Sequence, residues 1–259
     1  MLKFSPANAK LAKLASVDSI KPFLAGKRKV YSFDILSGHN CPYAKDCKSM
    51  AVVKDGKMGV QDGPHTDFRC FSASQEAFYK NVYNLRKANG DYILEVAAKL
   101  GPMGVALALD DSLPKNAGVI RIHVGGDFKT KNYFIGWCEF ARRHPNILVY
   151  AYTKSLPFVI AERDRLEKLP NFVLTASKGG MKDSLIAEYN LRQAVVVQND
   201  AEAKNLGLEV DHDDSHAADP AKRNQSFALV IHGIQPAGSV WGKAVKVNKG
   251  YGTYNRTGK

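Results

Sequence analysis

The chain has 259 residues, 45% hydrophobic and 24% charged, with 37 Lys and Arg against 25 Asp and Glu for a formal net charge of +12. That balance excludes a disordered tail, a collagen-like chain and a disulfide-dense miniprotein. No stretch approaches the ~18 apolar residues of a membrane span, and Met1-Leu2-Lys3-Phe4-Ser5-Pro6 lacks the pattern of a secretory signal, so the expected location is the cytoplasm.

Residues 1–29 read as a helical or irregular lead-in. Apolar, β-branched runs bounded by turn residues then predict strands at 30–37, 119–124, 147–153, 172–177, 193–198 and 227–232. Most are continuous rather than alternating, as in parallel strands buried on both faces. Between them, residues 74–100 suit two helices broken near Asn89-Gly90. Helical patterns follow at 131–143, 155–169 and 181–189, with a short one at 201–205. Six β/α units in a row predict an α/β fold with a parallel sheet and helices outside. An open doubly wound sheet and a partial barrel both fit the periodicity. One domain over 30–241 is expected, with a cysteine-bearing loop at 38–72 and a basic tail at 242–259.

In such folds ligands bind at the carboxyl ends of the strands, where the loops converge. Those ends carry Ser37-Gly38-His39-Asn40-Cys41, Gly125-Gly126-Asp127, Tyr152-Thr153-Lys154, Ser177-Lys178-Gly179-Gly180, Gln198-Asn199-Asp200 and His232-Gly233 with Gln235. Small or polar groups stand just past an apolar run at every end, the pattern of a site. Lys154 and Lys178 are candidates to hold an anionic ligand or act as nucleophiles, and Gln198 and His232 to line the same mouth.

Cys41 and Cys47 are separated by five residues, and Cys70 follows after 22 more. Cys138 falls in a helical pattern and reads as core. Three thiols in one loop of a cytoplasmic protein point to a metal rather than to disulfides. Zinc completed by His39 or His65 is one option, a cluster held by three thiolates with one open iron another, and reduced thiols without metal a third. The run Asp211-His212-Asp213-Asp214-Ser215-His216 reads as a solvated acidic loop rather than an ion site. No glycine-rich nucleotide motif or nucleophile elbow occurs.

Cysteines after the first strand, then Ile122-His123-Val124-Gly125-Gly126-Asp127 after the second, resemble the radical S-adenosylmethionine (SAM) superfamily. The resemblance implies a six-unit, TIM-like partial β/α barrel with a [4Fe–4S] cluster on Cys41, Cys47 and Cys70. It also implies SAM held near Gly125, Gly126 and Asp127, with Asp127 orienting its amine. The cysteine gaps are wider than the superfamily's C-x3-C-x2-C, and Asp127 stands where glutamate is usual. The chain also resembles an uncharacterised family of phage-encoded proteins. That resemblance is carried by Cys41-Pro42-Tyr43-Ala44-Lys45-Asp46-Cys47, Arg69-Cys70-Phe71-Ser72-Ala73, Arg121 to Phe128, Tyr150 to Ser155 and Ile231 to Gly238. It implies expression in a bacterial host cytoplasm and brings no reaction.

The leading expectation is therefore a phage-encoded, radical-SAM-like iron–sulfur protein with its cluster at the barrel mouth and a small-molecule ligand beside it. Asp127, Lys154, Lys178, Gln198 and His232 would line the pocket. Two alternatives are a non-enzymatic electron-transfer or sensor protein, and a nucleic-acid-associated protein with a structural metal. The second is favoured by the +12 charge, which attracts polyanions.

Overall fold

The computed structural model describes residues 1–248; the remainder of the predicted basic tail, 249–259, lies outside the described residues. An eight-stranded sheet organises the chain. Its strands are β1 (Ser5–Pro6), β2 (Lys29–Phe33), β5 (Ala117–Ile122), β6 (Leu148–Thr153), β7 (Phe172–Ser177), β8 (Gln193–Val197), β9 (Glu209–Val210) and β10 (Phe227–Val230). The remaining two, β3 (Ser49–Lys54) and β4 (Lys57–Asp62), form a separate antiparallel hairpin. The sheet order is β1-β2-β5-β6-β7-β8-β10-β9, with only the β1–β2 pair antiparallel. All six expected strands are present and parallel. They follow one another in chain order across the sheet, except that β10 inserts between β8 and β9.

Side-chain alternation splits the sheet into two faces. Ile120 and Ile122 of β5, Val149 and Ala151 of β6 and Phe172 of β7 join a core with Ile93, Val105, Phe134, Trp137 and Phe140. The helices Lys80–Lys99, Gly101–Asp110 and Lys131–Arg143 supply that core. The last shows why such segments become helices. Thr130 caps it by accepting the Tyr133 N–H at 3.3 Å, Arg142 and Arg143 sit in its final turn, and buried residues recur at helical spacing.

The alternate residues face the other way. Val119, Leu148, Tyr150 and Val173 meet Leu11, Leu14 and Ile20 from the chain's beginning and Ala217 and Ala218 from the segment before β10. Residues 1–29 are therefore no loose lead-in: β1 extends the sheet and residues 8–24 seal its second face. The ends of the sheet, β1 and β9, do not pair with each other.

Several local expectations change. The break in the 74–100 region falls at Tyr79, between Phe71–Phe78 and Lys80–Lys99. Asn89-Gly90 lies inside the second helix, because Asn89 donates to the Lys3 carbonyl at 2.9 Å and the Asp34 carbonyl at 3.1 Å. Residues 242–247 of the expected tail belong to a helix, Val240–Val247, capped by Ser239. The β3–β4 hairpin inside the cysteine-bearing segment was not foreseen. Its Asp55-Gly56 turn has both residues at positive φ (51° and 74°), the Asp-Gly signature of a tight hairpin.

Candidate functional site

A cavity of about 210 Å³ opens at the carboxyl ends of the parallel strands, on the face sealed by the N-terminal segment. Cys41 comes from the loop after β2, Cys47 from the approach to β3, and Cys70 from the residue preceding the helix Phe71–Phe78; all three line this cavity. All three are free thiols. The Cys41 Sγ accepts the Gly38 N–H at 3.3 Å. Burial pushes the Cys41 thiol well up, and the neighbouring Asp127, Cys70 and Cys47 charges add to this. Burial and then Cys47 push Cys70 up to about 11, partly countered by the Ala73 and Ser72 N–H groups of the helix it starts. Cys41 and Cys70 are therefore neutral thiols as they stand.

Among the described residues, no three His, Cys, Asp or Glu side chains are grouped tightly enough to hold a single metal ion. The two histidines considered as a fourth ligand do not line the cavity. The His39 ring meets the Ala51 carbonyl at 2.9 Å, and His65 is exposed.

Buried polar groups brace the cysteine wall. Glu76, fully buried, accepts the Ser37 N–H at 3.1 Å and its hydroxyl at 2.9 Å, and pairs with Arg86 at 2.8 Å. Arg86 also donates to the Ser72 hydroxyl at 2.9 Å. Gln235 clamps the backbone beside Cys70: its Oε1 accepts the Arg69 N–H at 2.8 Å and its Nε2 donates to the Arg69 carbonyl at 2.9 Å. Gln235 thus supports the mouth and does not line it.

Gly125, Gly126 and Asp127 line the same cavity, yet the reasons for these residue types lie in the protein itself. A Cβ on Gly125 would stand 2.7 Å from both Arg86 and the Ser72 hydroxyl; one on Gly126 (φ +94°) would stand 2.4 Å from Ile35. The Asp127 carboxylate accepts from the Thr153 hydroxyl at 2.6 Å and from the Lys154 and Phe128 N–H groups at 2.9 and 2.7 Å. Burial raises its pKa against the pull of those donors. Lys154, also buried, donates from Nζ to the Ser177 hydroxyl at 2.6 Å, so the ends of β5, β6 and β7 are tied together around the cavity.

A further part of the wall was only partly foreseen: Tyr152 and His232 stand at strand ends expected to form the mouth, whereas Lys10, Arg121 and Asp214 were not expected there. Arg121 and Tyr152, from β5 and β6, and Asp214, from the supposed acidic loop, line the cavity with Lys10 and His232. Asp214 is 1% exposed; it pairs with Lys10 at 3.1 Å and with Arg121, and accepts the Tyr150 hydroxyl at 3.0 Å. Burial pushes the Asp214 carboxyl up, but the Arg121 and Lys10 cations outweigh it and hold it below the usual range. Burial opposes the Arg121 charge, which the Asp214 carboxylate restores. His232, its ring 4.7 Å from that of Phe71, is held neutral by burial and then by the nearby cations, with a pKa of about 4.

The sequence profile of the Gene product 88 family matches residues 2–250, nearly the whole chain. The chain belongs to that family. This agrees with the resemblance to phage-encoded proteins read from the cysteine and Gly-Gly-Asp segments. No curated protein and no solved structure matches the chain.

In this member of the Gene product 88 family, two expected pocket residues stand elsewhere. Lys178 is exposed: Ser177 faces the cavity, so the next side chain points away. Gln198 is half-buried beside the helix Asp200–Asn205, its N–H bonded to Glu202 at 2.7 Å and its carbonyl to Asn248. Cys138 is fully buried in the first core, as expected. Among the described residues, no helix is long and apolar enough to cross a membrane.

Proposed function

We propose that this protein carries a [4Fe–4S] cluster on Cys41, Cys47 and Cys70 and binds a small molecule, SAM being the first candidate, in the adjoining cavity. The carrying observation is that three free thiols from separate parts of the chain face one cavity at the strand ends, beside Asp127 and Lys154. The donor set suits the group. A cluster distributes its thiolates over three irons, whereas one tetrahedral zinc with Zn–S of ~2.3 Å needs them close together. Among the described residues no group of three or more His, Cys, Asp or Glu is placed to hold a metal ion as it stands, so the proposal rests on the shared cavity and the three-thiolate donor set. Burial, with the neighbouring thiolate and carboxylate charges, raises Cys41 and Cys70, and bound iron would favour their thiolate forms.

When bound, such a cluster supplies one-electron chemistry at an iron not held by protein. The chain's own contribution is shelter and orientation. Phe68, Phe71 and Leu229 exclude water from the wall, and Lys154, fixed by Ser177, presents a cation to it. The chain-order succession of β2, β5, β6, β7, β8 and β10 is the order a partial β/α barrel would have, and to that extent supports the radical-SAM-like arrangement.

The test is protein purified without oxygen, with a visible spectrum, iron and sulfide counts, and EPR spectra of the reduced protein with and without SAM. About four irons per chain and an EPR signal shifted by SAM support the whole reading. A cluster unaffected by SAM leaves an electron-transfer or sensor protein with a different ligand. Colourless protein with stoichiometric zinc overturns the cluster and turns attention to a structural metal in a polyanion-binding protein.

A further inference from the structure

The wall formed by Lys10, Arg121, Tyr152 and Asp214 is not explained as internal structure. Lys10 and Arg121 face the buried Asp214 carboxylate there, and the buried Asp34 and Asp211 carboxylates act on Arg121 and Tyr152 from further away. Only Nη1 of the Arg121 guanidinium has a hydrogen-bond partner among the described residues, and its buried Nε has none. The Tyr152 hydroxyl is likewise buried without a partner, under an Arg121 guanidinium 5.3 Å from its ring centre. Buried donors are nearly always satisfied, and a network that served folding alone would close on itself as the Glu76–Arg86–Ser72 one does. Here the two residues with unused donors come from neighbouring strands and line a cavity that Lys10 reaches from the N-terminal segment.

We propose that this wall is the subsite for an anionic group, a carboxylate or a phosphate, on the small molecule the cavity takes, with Arg121, Lys10 and the Tyr152 hydroxyl as its donors. A planar guanidinium with an unused N–H beside a lysine ammonium suits either oxyanion. Asp214 positions the two cations. The inference rests on the reading of the cavity as a ligand site and is independent of the cluster.

The experiment measures melting temperature in sodium phosphate and in sodium acetate against sodium chloride at matched ionic strength, at pH 7. One of the two anions is expected to raise it saturably, and which one does so separates a phosphate from a carboxylate ligand. Lys10→Met and Arg121→Lys should each weaken the apparent affinity by roughly tenfold, the loss of one charge-assisted bond. Tyr152→Phe should weaken it by about fivefold, the loss of a neutral one. Arg121→Lys keeps a cation for Asp214, and Lys10→Met leaves Asp214 paired with Arg121, so both should fold. A response to neither anion, or one unchanged in Lys10→Met and Tyr152→Phe, overturns the subsite. Iron content of the same preparations is read separately: iron without an anion response overturns the subsite alone, and an anion response without iron overturns the cluster alone.

Discussion

Replacing Asp214 by Asn removes a charge and nearly preserves shape, so Arg121, its side chain 12% exposed, keeps a buried guanidinium without its direct counterion. Removing one member of a buried pair costs about 3–5 kcal/mol. The low end applies here, for three reasons visible in the structure. The Tyr150 hydroxyl, 3.0 Å from Asp214, can donate to an Asn carbonyl equally well. The Tyr152 ring lies under the guanidinium. Lys10, 27% exposed, can swing its ammonium toward water. Asp214→Asn should therefore cost about 3 kcal/mol. With a urea m of about 3 kcal/mol/M, suited to a chain of this size, the unfolding midpoint falls by about 1 M at unchanged m. Arg121→Met should cost a similar amount, since it leaves Asp214 with only Lys10 and Tyr150. The double variant should lose at least about 2 kcal/mol less than the sum, because neither charge is then stranded. Additivity within about 0.5 kcal/mol would refute the pair as the organising contact of this wall.

Three further outcomes are expected. Under anaerobic purification Cys41→Ser, Cys47→Ser and Cys70→Ser should each lose most of the bound iron, while Cys138→Ala, in the core, should keep it; equal iron in all four would remove the ligand assignment. Gly126→Ala, at φ +94° and with its new methyl 2.4 Å from Ile35, should destabilise by about 1–3 kcal/mol, read by urea denaturation. Stability should also fall in acid. Burial holds His123 and His232 neutral, with pKa values of about 3 and about 4 against the ordinary 6.5. The unfolded chain therefore takes up protons that the folded one refuses. The stabilisation is complete above pH 6.5 and is lost as pH falls toward 4 and then 3, a few kcal/mol in total. His232→Gln should remove about half of that loss between 6.5 and 4, where both histidines contribute, and a urea midpoint equal at pH 7 and pH 5 in the parent chain would contradict it.

The central strands were legible because both their faces are covered, which makes each a continuous apolar run; β7 falls on the expected residues. The cysteines and Gly-Gly-Asp were legible because loops after parallel strands converge. What stayed hidden depends on distant partners. Asp214 sits in a run that reads as solvated acid, and its burial is made tolerable by Arg121, 93 positions earlier, together with Lys10 and the Tyr150 hydroxyl. Arg121 in turn hid in the middle of a strand, where side-chain alternation decides whether it meets lipid-like core or cavity. Lys178 misled for the complementary reason, since a polar residue at a strand end has an even chance of facing outward. Asp55-Gly56, by contrast, was a local signal for the hairpin that went unused.

The sealing of the second face by residues 8–24 bears on how the protein is made. Leu11, Leu14 and Ile20 share a core with Ala218 and Phe227, and the Ser19 hydroxyl bonds the Asp219 carboxylate 200 positions later. A ribosome adding about 5–20 residues per second needs some 10–40 s to deliver those partners. For that interval an apolar N-terminal segment has to wait, with Lys10 unplaced and the cavity unfinished. The pocket therefore cannot be assembled before the segment from Asp214 to His232 has been made, and any ligand is acquired only after that point.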